Sequence, residues 1–221
     1  MRTSRRHPRN ERIGAATALA LTLVLASAAP AVGQATSRDA AQTASDGCWV
    51  RGSRADLGSR SSPLDSTSVT LRSGTVAVCY GRPSRRGRTV MGGLVPYGSP
   101  WRLGANEATS IRMPAAGSIA GVAVDGGRYS LYAIPGPEAW QVVANGTAHR
   151  WGIPISDAVR AKDLGAGSVE SAHTDSMVEQ LTLTFEKTAP DAADLVVRWE
   201  RTELRIPVVL RAARGSKDGR R

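Results

Sequence analysis

From Ser68 onward the chain is built of short runs in which apolar and polar positions alternate, the period of half-buried strands. Ser68-Val69-Thr70-Leu71 and Thr75–Tyr80 flank Ser73-Gly74, which predicts a hairpin. Thr109–Met113 alternates again. Ile119–Val124 and Arg128–Ile134 lie either side of Asp125-Gly126-Gly127, predicting a second hairpin closed by Pro135-Gly136-Pro137. Trp140–Ala144 is a further strand, ending at Asn145-Gly146. Late in the chain Val178–Glu186 reads V-E-Q-L-T-L-T-F-E, followed by Ala193–Glu200 and Glu203–Leu210. About eight or nine short strands with turn residues between them predict an all-β domain, an antiparallel β-sandwich or a flattened barrel. No stretch of this part shows a helical period. Ile155–Ser176 is its largest irregular piece, holding either a short helix or an excursion loop.

Ahead of these strands the texture is different. Arg2, Arg5, Arg6, Arg9 and Arg12 precede an uncharged Ala- and Leu-rich run from Ile13 to Val32, then Pro30 and the small residues around Gly33 and Ala35. A basic end, an apolar stretch and a small-residue cleavage site are the parts of a secretory signal peptide, here residues 1–35. The rival reading is a retained single-span anchor, since about 20 apolar residues cross a bilayer. Ser4-Arg5-Arg6 hints at a twin-arginine signal, but no apolar pair follows it. Residues 36–61, rich in Ser, Ala, Arg, Asp and Gly, read as a flexible linker, and 62–210 as the β domain.

Charge follows this division. The whole chain carries +10, but residues 1–35 hold five arginines against one acid, and the tail 211–221 five basic residues against one. The segment 36–210 keeps a net charge of only +2. Without a basic face on the domain, nucleic acid is not an expected partner. The tail reads as a solvated, disordered extension.

Cys48 and Cys79 are the only cysteines. Outside the cytoplasm a pair is expected to bridge, stabilising by roughly 3–4 kcal/mol in the chain-entropy treatment. Such a bridge would tie the Ser/Arg-rich segment after Cys48 to the domain body. The alternative is one buried thiol in a strand and one free thiol in a mobile arm.

Residues 80–109, YGRPSRRGRTVMGGLVPYGSPWRLGANEAT, are unusual for a connection. They hold six Gly, three Pro and five Arg together with Tyr97 and Trp101. A loop of this length in a compact domain is either functional or an ordered cover. The motifs G-R-P-S-x-x-G-R, G-G-L-V-P-Y-G and W-R-x-G-A-N-E-A-T continue into Gly127–Leu131, Ile134-Pro135-Gly136, Trp140–Asn145, Trp151-Gly152 and A-D-L-x-x-x-W-E at Ala193–Glu200. Together they resemble the domain-of-unknown-function family 2911, a group of exported bacterial domains, over about residues 62–208. One departure is Val90-Met91 after the G-R pair, where the family tends to carry an aromatic or bulky apolar residue. The resemblance implies a compartment and an extent, and no activity.

Within the loop, Trp101, Arg102, Asn106 and Glu107 are the densest chemistry. An indole stacks on a sugar or other planar group, and a guanidinium fork holds an anion. Glu107, if desolvated, would serve as a general acid or base. The structural alternative pairs Arg102 with Glu107 or with loop carbonyls, uses Asn106 to cap a turn and buries Trp101. Arg82 and Arg88 are candidates for inward pairing or anion binding, and Arg85-Arg86 reads as a solvated turn. Tyr97 completes the aromatic set. His149, near Trp151, either joins Glu107 or lies on the surface. His149 and His173 lack metal spacing, so no metal or cofactor is expected. Neither Cys nor Ser shows a nucleophile motif. Asn145-Gly146-Thr147, a glycosylation sequon, reads as a turn.

These features predict an exported, periplasmic or secreted domain acting as a binding or envelope-associated structural module for a small polar ligand or an envelope component. Membrane contact is expected only through an uncleaved signal segment. The alternative is a small envelope hydrolase using Glu107 as acid or base.

Overall fold

A computed structural model describes residues 47–211 of the chain. The expected signal peptide, the expected linker up to residue 46 and the tail after Arg211 lie outside the described residues. Among the described residues nine strands form one antiparallel sheet that is not closed into a barrel. They are β1 (Leu64–Leu71), β2 (Gly74–Gly81), β3 (Thr109–Met113), β4 (Gly117–Ile119), β5 (Val122–Val124), β6 (Gly127–Ile134), β7 (Ala139–Asn145), β8 (Asp163–Ala189) and β9 (Ala192–Leu210). Their order across the sheet is β1-β2-β3-β6-β7-β8-β9-β4-β5. A short helix, α1 (Asp157–Arg160), precedes β8.

The long strand β8 belongs to both halves of the sheet. Its residues to Glu170 pair with β7, and those from Ser171 pair with β9. The register with β9 shifts on both sides of Val178. After that shift Leu181 and Leu183 face inward, and they share one apolar cluster with Val76, Val78 and Tyr80 of β2 and Leu195 of β9. Tyr80 is tied across this core by its hydroxyl, which donates to Asp65 at 3.1 Å and accepts the Leu183 N–H at 3.1 Å. Burial and the Asp65 carboxylate push its pKa up, although the Leu183 N–H pulls the other way, so the phenol stays neutral. Two sheet halves with one buried interface keep the alternation seen in the sequence: apolar side chains in, polar side chains out.

The first hairpin forms as expected, with Leu71 opposite Gly74. The second does not. Ile119–Val124 is split by Ala120 (φ 49°) and Gly121 (φ 80°) into β4 and β5, which pair with each other. β6 pairs with β3 and β7 instead. Consecutive positive φ values are what a tight hairpin turn requires, and Ala120 hid that turn inside an apolar run. Ala193–Glu200 and Glu203–Leu210 run on as the single strand β9. The stretch 155–176, expected to be irregular, holds α1 but is mostly β8. Its glycines and polar residues conceal a strand whose partner, β7, supplies the apolar side chains.

The segment 47–61 also differs from a free linker. It carries a short 3-10 helix, Arg54–Ser59, capped by Ser53, whose Oγ accepts the Ala55 N–H at 3.1 Å. The Cys48–Cys79 disulfide joins it to β2.

Candidate functional site

The 80–109 connection is a stack of short-range turns anchored on β8, β9 and β6. The Leu181 N–H donates to Pro83 O and the Arg85 N–H to Glu179 O, so the chain leaves β2 along the edge of β8. Arg82 follows the same edge, bonding Leu181 O at 3.2 Å and Thr182 Oγ1 at 3.2 Å beside Asp65 at 3.5 Å. At the next turn the Val90 and Met91 N–H groups both donate to the Glu200 carboxylate, at 3.2–3.3 Å and 3.2 Å. Val90 is fully buried and Met91 packs against the core, so the Val90-Met91 pair is well seated. Trp101 then exchanges two backbone hydrogen bonds with Ala133 of β6, at 2.7 and 2.8 Å. Glycine is required where the loop folds over the domain. A Cβ at Gly81 would collide with Ala105 O, and one at Gly152 with the Arg102 Cδ.

Glu107 is buried, with 4% of its surface exposed. Its partner is Arg60, not Arg102. Arg60 Nη1 donates to Oε2 at 2.7 Å and Nη2 to Oε1 at 2.9 Å, while the Arg51 N–H donates to Oε1 at 2.9 Å. Burial alone would raise the Glu107 pKa. The Arg60 fork and the Arg51 N–H outweigh it and hold the carboxyl below the usual range. The same arm stacks Trp49 on His149, centroids 5.8 Å apart, and lays the Arg51 guanidinium over Trp151 at 5.6 Å. Asn106 (φ 61°) donates through Nδ2 to Ser62 O at 2.9 Å and accepts the Gly152 N–H on its backbone carbonyl. These residues fasten the arm and the loop to each other.

Arg102 points elsewhere. Together with Arg88, Trp101, Trp199, Leu94 and Ile153 it lines a surface cleft of about 380 Å³. Trp101 stacks on Trp199, centroids 5.9 Å and planes 21° apart, and meets Trp140 edge-on at 5.9 Å. Trp199 is fixed by its own Nε1–H, which donates to Glu179 O at 3.2 Å. The Arg102 Nε donates to Gly104 O at 3.2 Å, and among the described residues no carboxylate pairs with its guanidinium. Burial presses its pKa down, with no opposing charge to offset it. Among the described residues Arg88 bonds only the carbonyls of Arg85 and Ser84 through its side chain, so there it too is without a carboxylate. Leu94 and Ile153 stand 41% and 53% exposed on the cleft wall. A cationic, indole-floored cleft with apolar walls suits an anion carrying a planar or apolar body.

The residues singled out in the sequence therefore fall into separate places. Trp101, Arg102 and Arg88 share the cleft; Glu107, Asn106 and His149 belong to the arm contact; Arg82 braces β8. Tyr97, 46% exposed, lies on another face of the loop near Trp140 and His173. Arg60, Trp199 and Glu200 were not among the expected site residues. The W-E pair closing the A-D-L-x-x-x-W-E motif was the available signal for the last two. Asn145, in the sequon, is fully buried, and its Oδ1 accepts the Thr147 N–H at 2.9 Å, the turn role expected of it. Among the described residues no group of three or more His, Cys, Asp or Glu is placed to hold a metal, and no helix is long and apolar enough to cross a membrane.

A family model described as a protein of unknown function (DUF2911) matches residues 62–208, and the chain belongs to that family. No curated protein and no solved structure matches the chain.

Proposed function

We propose that this member of the DUF2911 family is an exported binding module whose cleft takes a small organic anion, a carboxylate or phosphate ester carried on a planar or apolar body. One observation carries the reading: Arg102, half-buried at the cleft, has no carboxylate partner among the described residues. Desolvating a guanidinium without a counter-charge costs stability that a purely structural residue has no reason to forgo. The partly buried Trp101 beside it offers indole surface, and Leu94 and Ile153 offer apolar walls. Export is supported by the basic and apolar pattern of residues 1–35 and by the Cys48–Cys79 disulfide.

The hydrolase alternative through Glu107 has less behind it. Both carboxylate oxygens are engaged by Arg60 and Arg51, and the lowered pKa is opposite to what a general acid needs near neutral pH.

The test is tryptophan fluorescence of the full chain titrated with aryl carboxylates, acyl carboxylates, phosphate monoesters and neutral sugars. A saturable change with anionic compounds, absent with neutral ones, is expected. A flat response across the anions would overturn the proposal.

A further inference from the structure

Several arginines of the described residues have a carboxylate counter-charge. Arg60 has Glu107, Arg82 has Asp65, Arg72 has Asp191 and Arg85 has Glu179. Arg198 and Arg205 share Glu186 and Glu203 on the outer face of β8 and β9. Arg112 of β3 and Arg128 of β6 differ in facing each other across paired strands. They are directly opposite in the antiparallel register, on the same face of the sheet, and neither makes an ion pair or a side-chain hydrogen bond among the described residues. Like charges directly opposite on paired strands repel, and arginine cannot shed its proton to relieve this.

Three hydroxyl side chains stand near the pair. Ser68, Ala77, Arg112 and Arg128 form one row across β1, β2, β3 and β6. Ser110 and Thr75, two positions from Arg112 and Ala77, project from the same face. Ser68, Thr75, Ser110 and the two arginines, with Gly47, Ala77 and Cys79, line a groove of about 270 Å³, and among the described residues no carboxylate lines it. Two guanidinium forks above a bed of hydroxyls form a complement to a compact group with several acceptor oxygens.

We infer that the Arg112–Arg128 groove is a second anion site, taking a phosphate- or sulfate-type group. It is separate from the Arg102 cleft, which no groove residue lines. The group is either free or borne on an envelope lipid, since the chemistry at the groove is the same.

The experiment is thermal unfolding of the full chain in inorganic phosphate and in chloride at matched ionic strength, for wild type, Arg112→Gln and Arg128→Gln. At low salt the two groove variants are expected to melt no lower than wild type, because each relieves the repulsion. Phosphate is expected to raise the wild-type Tm by a few degrees beyond chloride and to lose this excess in both groove variants. A phosphate effect no greater than chloride, or one that survives in both groove variants, overturns the inference. Co-sedimentation with phosphatidylglycerol vesicles, against phosphatidylcholine, separates the sources. Because the basic ends also attract such vesicles, the reading is the difference between wild type and Arg112→Gln: a several-fold loss assigns a lipid headgroup, and equal binding alongside the phosphate effect assigns a soluble anion.

Discussion

Arg60 clamps both oxygens of Glu107, at 2.7 and 2.9 Å, across 47 positions of sequence. The pair is nearly dry, with side-chain exposures of 15% and 5%. It joins an arm that stands ahead of the first strand to the end of the loop that precedes β3. A buried ion pair is weak evidence of net stabilisation, but losing one partner leaves the other charge stranded.

Glu107→Gln and Arg60→Ala are therefore each expected to destabilise by about 3 kcal/mol. For a domain of this size that is a fall in Tm of roughly 6–12 °C. The double variant should cost clearly less than the sum of the two. Thermal unfolding of the three proteins checks this, and additive losses would show that the two side chains do not act on each other.

The pair also sets an acid limb. Glu107 has a folded pKa below the ordinary glutamate value of about 4.3. Its stabilisation is thus complete above that value and is lost as pH falls through the lower, folded pKa. Glu186, held down first by Arg205 and Arg198, contributes with the same sign. Stability measured from pH 6 to pH 3 should fall below about pH 4.3 in wild type and fall less steeply in Glu107→Gln. Parallel curves would remove Glu107 from the acid response.

Cys48 and Cys79 secure the same arm from its other end, with a sequence separation of 31. Replacing both by Ser is expected to cost about 3–4 kcal/mol by loop closure. Hydrogen exchange should then accelerate in residues 48–60 before it does so in β3 or β7. Uniform acceleration would mean that the arm does not open on its own.

Glu200 holds the far side of the loop. It sits at φ 56°, where the register of β8 with β9 shifts, and its carboxylate takes the N–H groups of Val90 and Met91. Glu200→Ala leaves these donors without an acceptor, and a loss of about 1–3 kcal/mol is expected. Glu200→Gln keeps an acceptor oxygen and should lose less. Amide exchange at Val90 and Met91 reads the difference directly; equal protection in all three proteins would contradict the anchoring role.

The strands were legible where one face is apolar throughout. Thr109–Met113 and Trp140–Ala144 read directly as β3 and β7 because every second residue, Ile111 and Met113 in one and Trp140, Val142 and Ala144 in the other, is apolar and joins the core. The first half of β8 was not legible, since Gly165, Gly167 and their polar neighbours bury little and are held by the β7 ladder. The β4–β5 turn was hidden because Ala120, not glycine or asparagine, takes the positive φ. At the site, the loop motif led to Trp101 and Arg102, but the partner of Glu107 could not be read from it. Arg60 lies 47 residues away in a stretch with the composition of a linker. Pairing at such separation is decided by the fold, and local composition carries no trace of it.

Arg102 offers the sharpest separation of a binding role from a structural one. Removing a buried charge that has a partner destabilises, because the partner is left behind. Among the described residues Arg102 has no carboxylate partner, only the Gly104 carbonyl at 3.2 Å, and burial already works against its charge. Arg102→Gln should therefore leave the Tm within about 2 °C of wild type, the ordinary range for a substitution that strands no charge. It should also weaken binding of an anionic ligand at least tenfold, a difference of about 1.4 kcal/mol. Arg102→Lys keeps the charge but loses the planar fork, so it should recover only part of the affinity. Ligand titration followed by tryptophan fluorescence and thermal unfolding, run on the same preparations, read both quantities. A large drop in Tm with unchanged affinity would return Arg102 to a structural role and leave the cleft without its anchor.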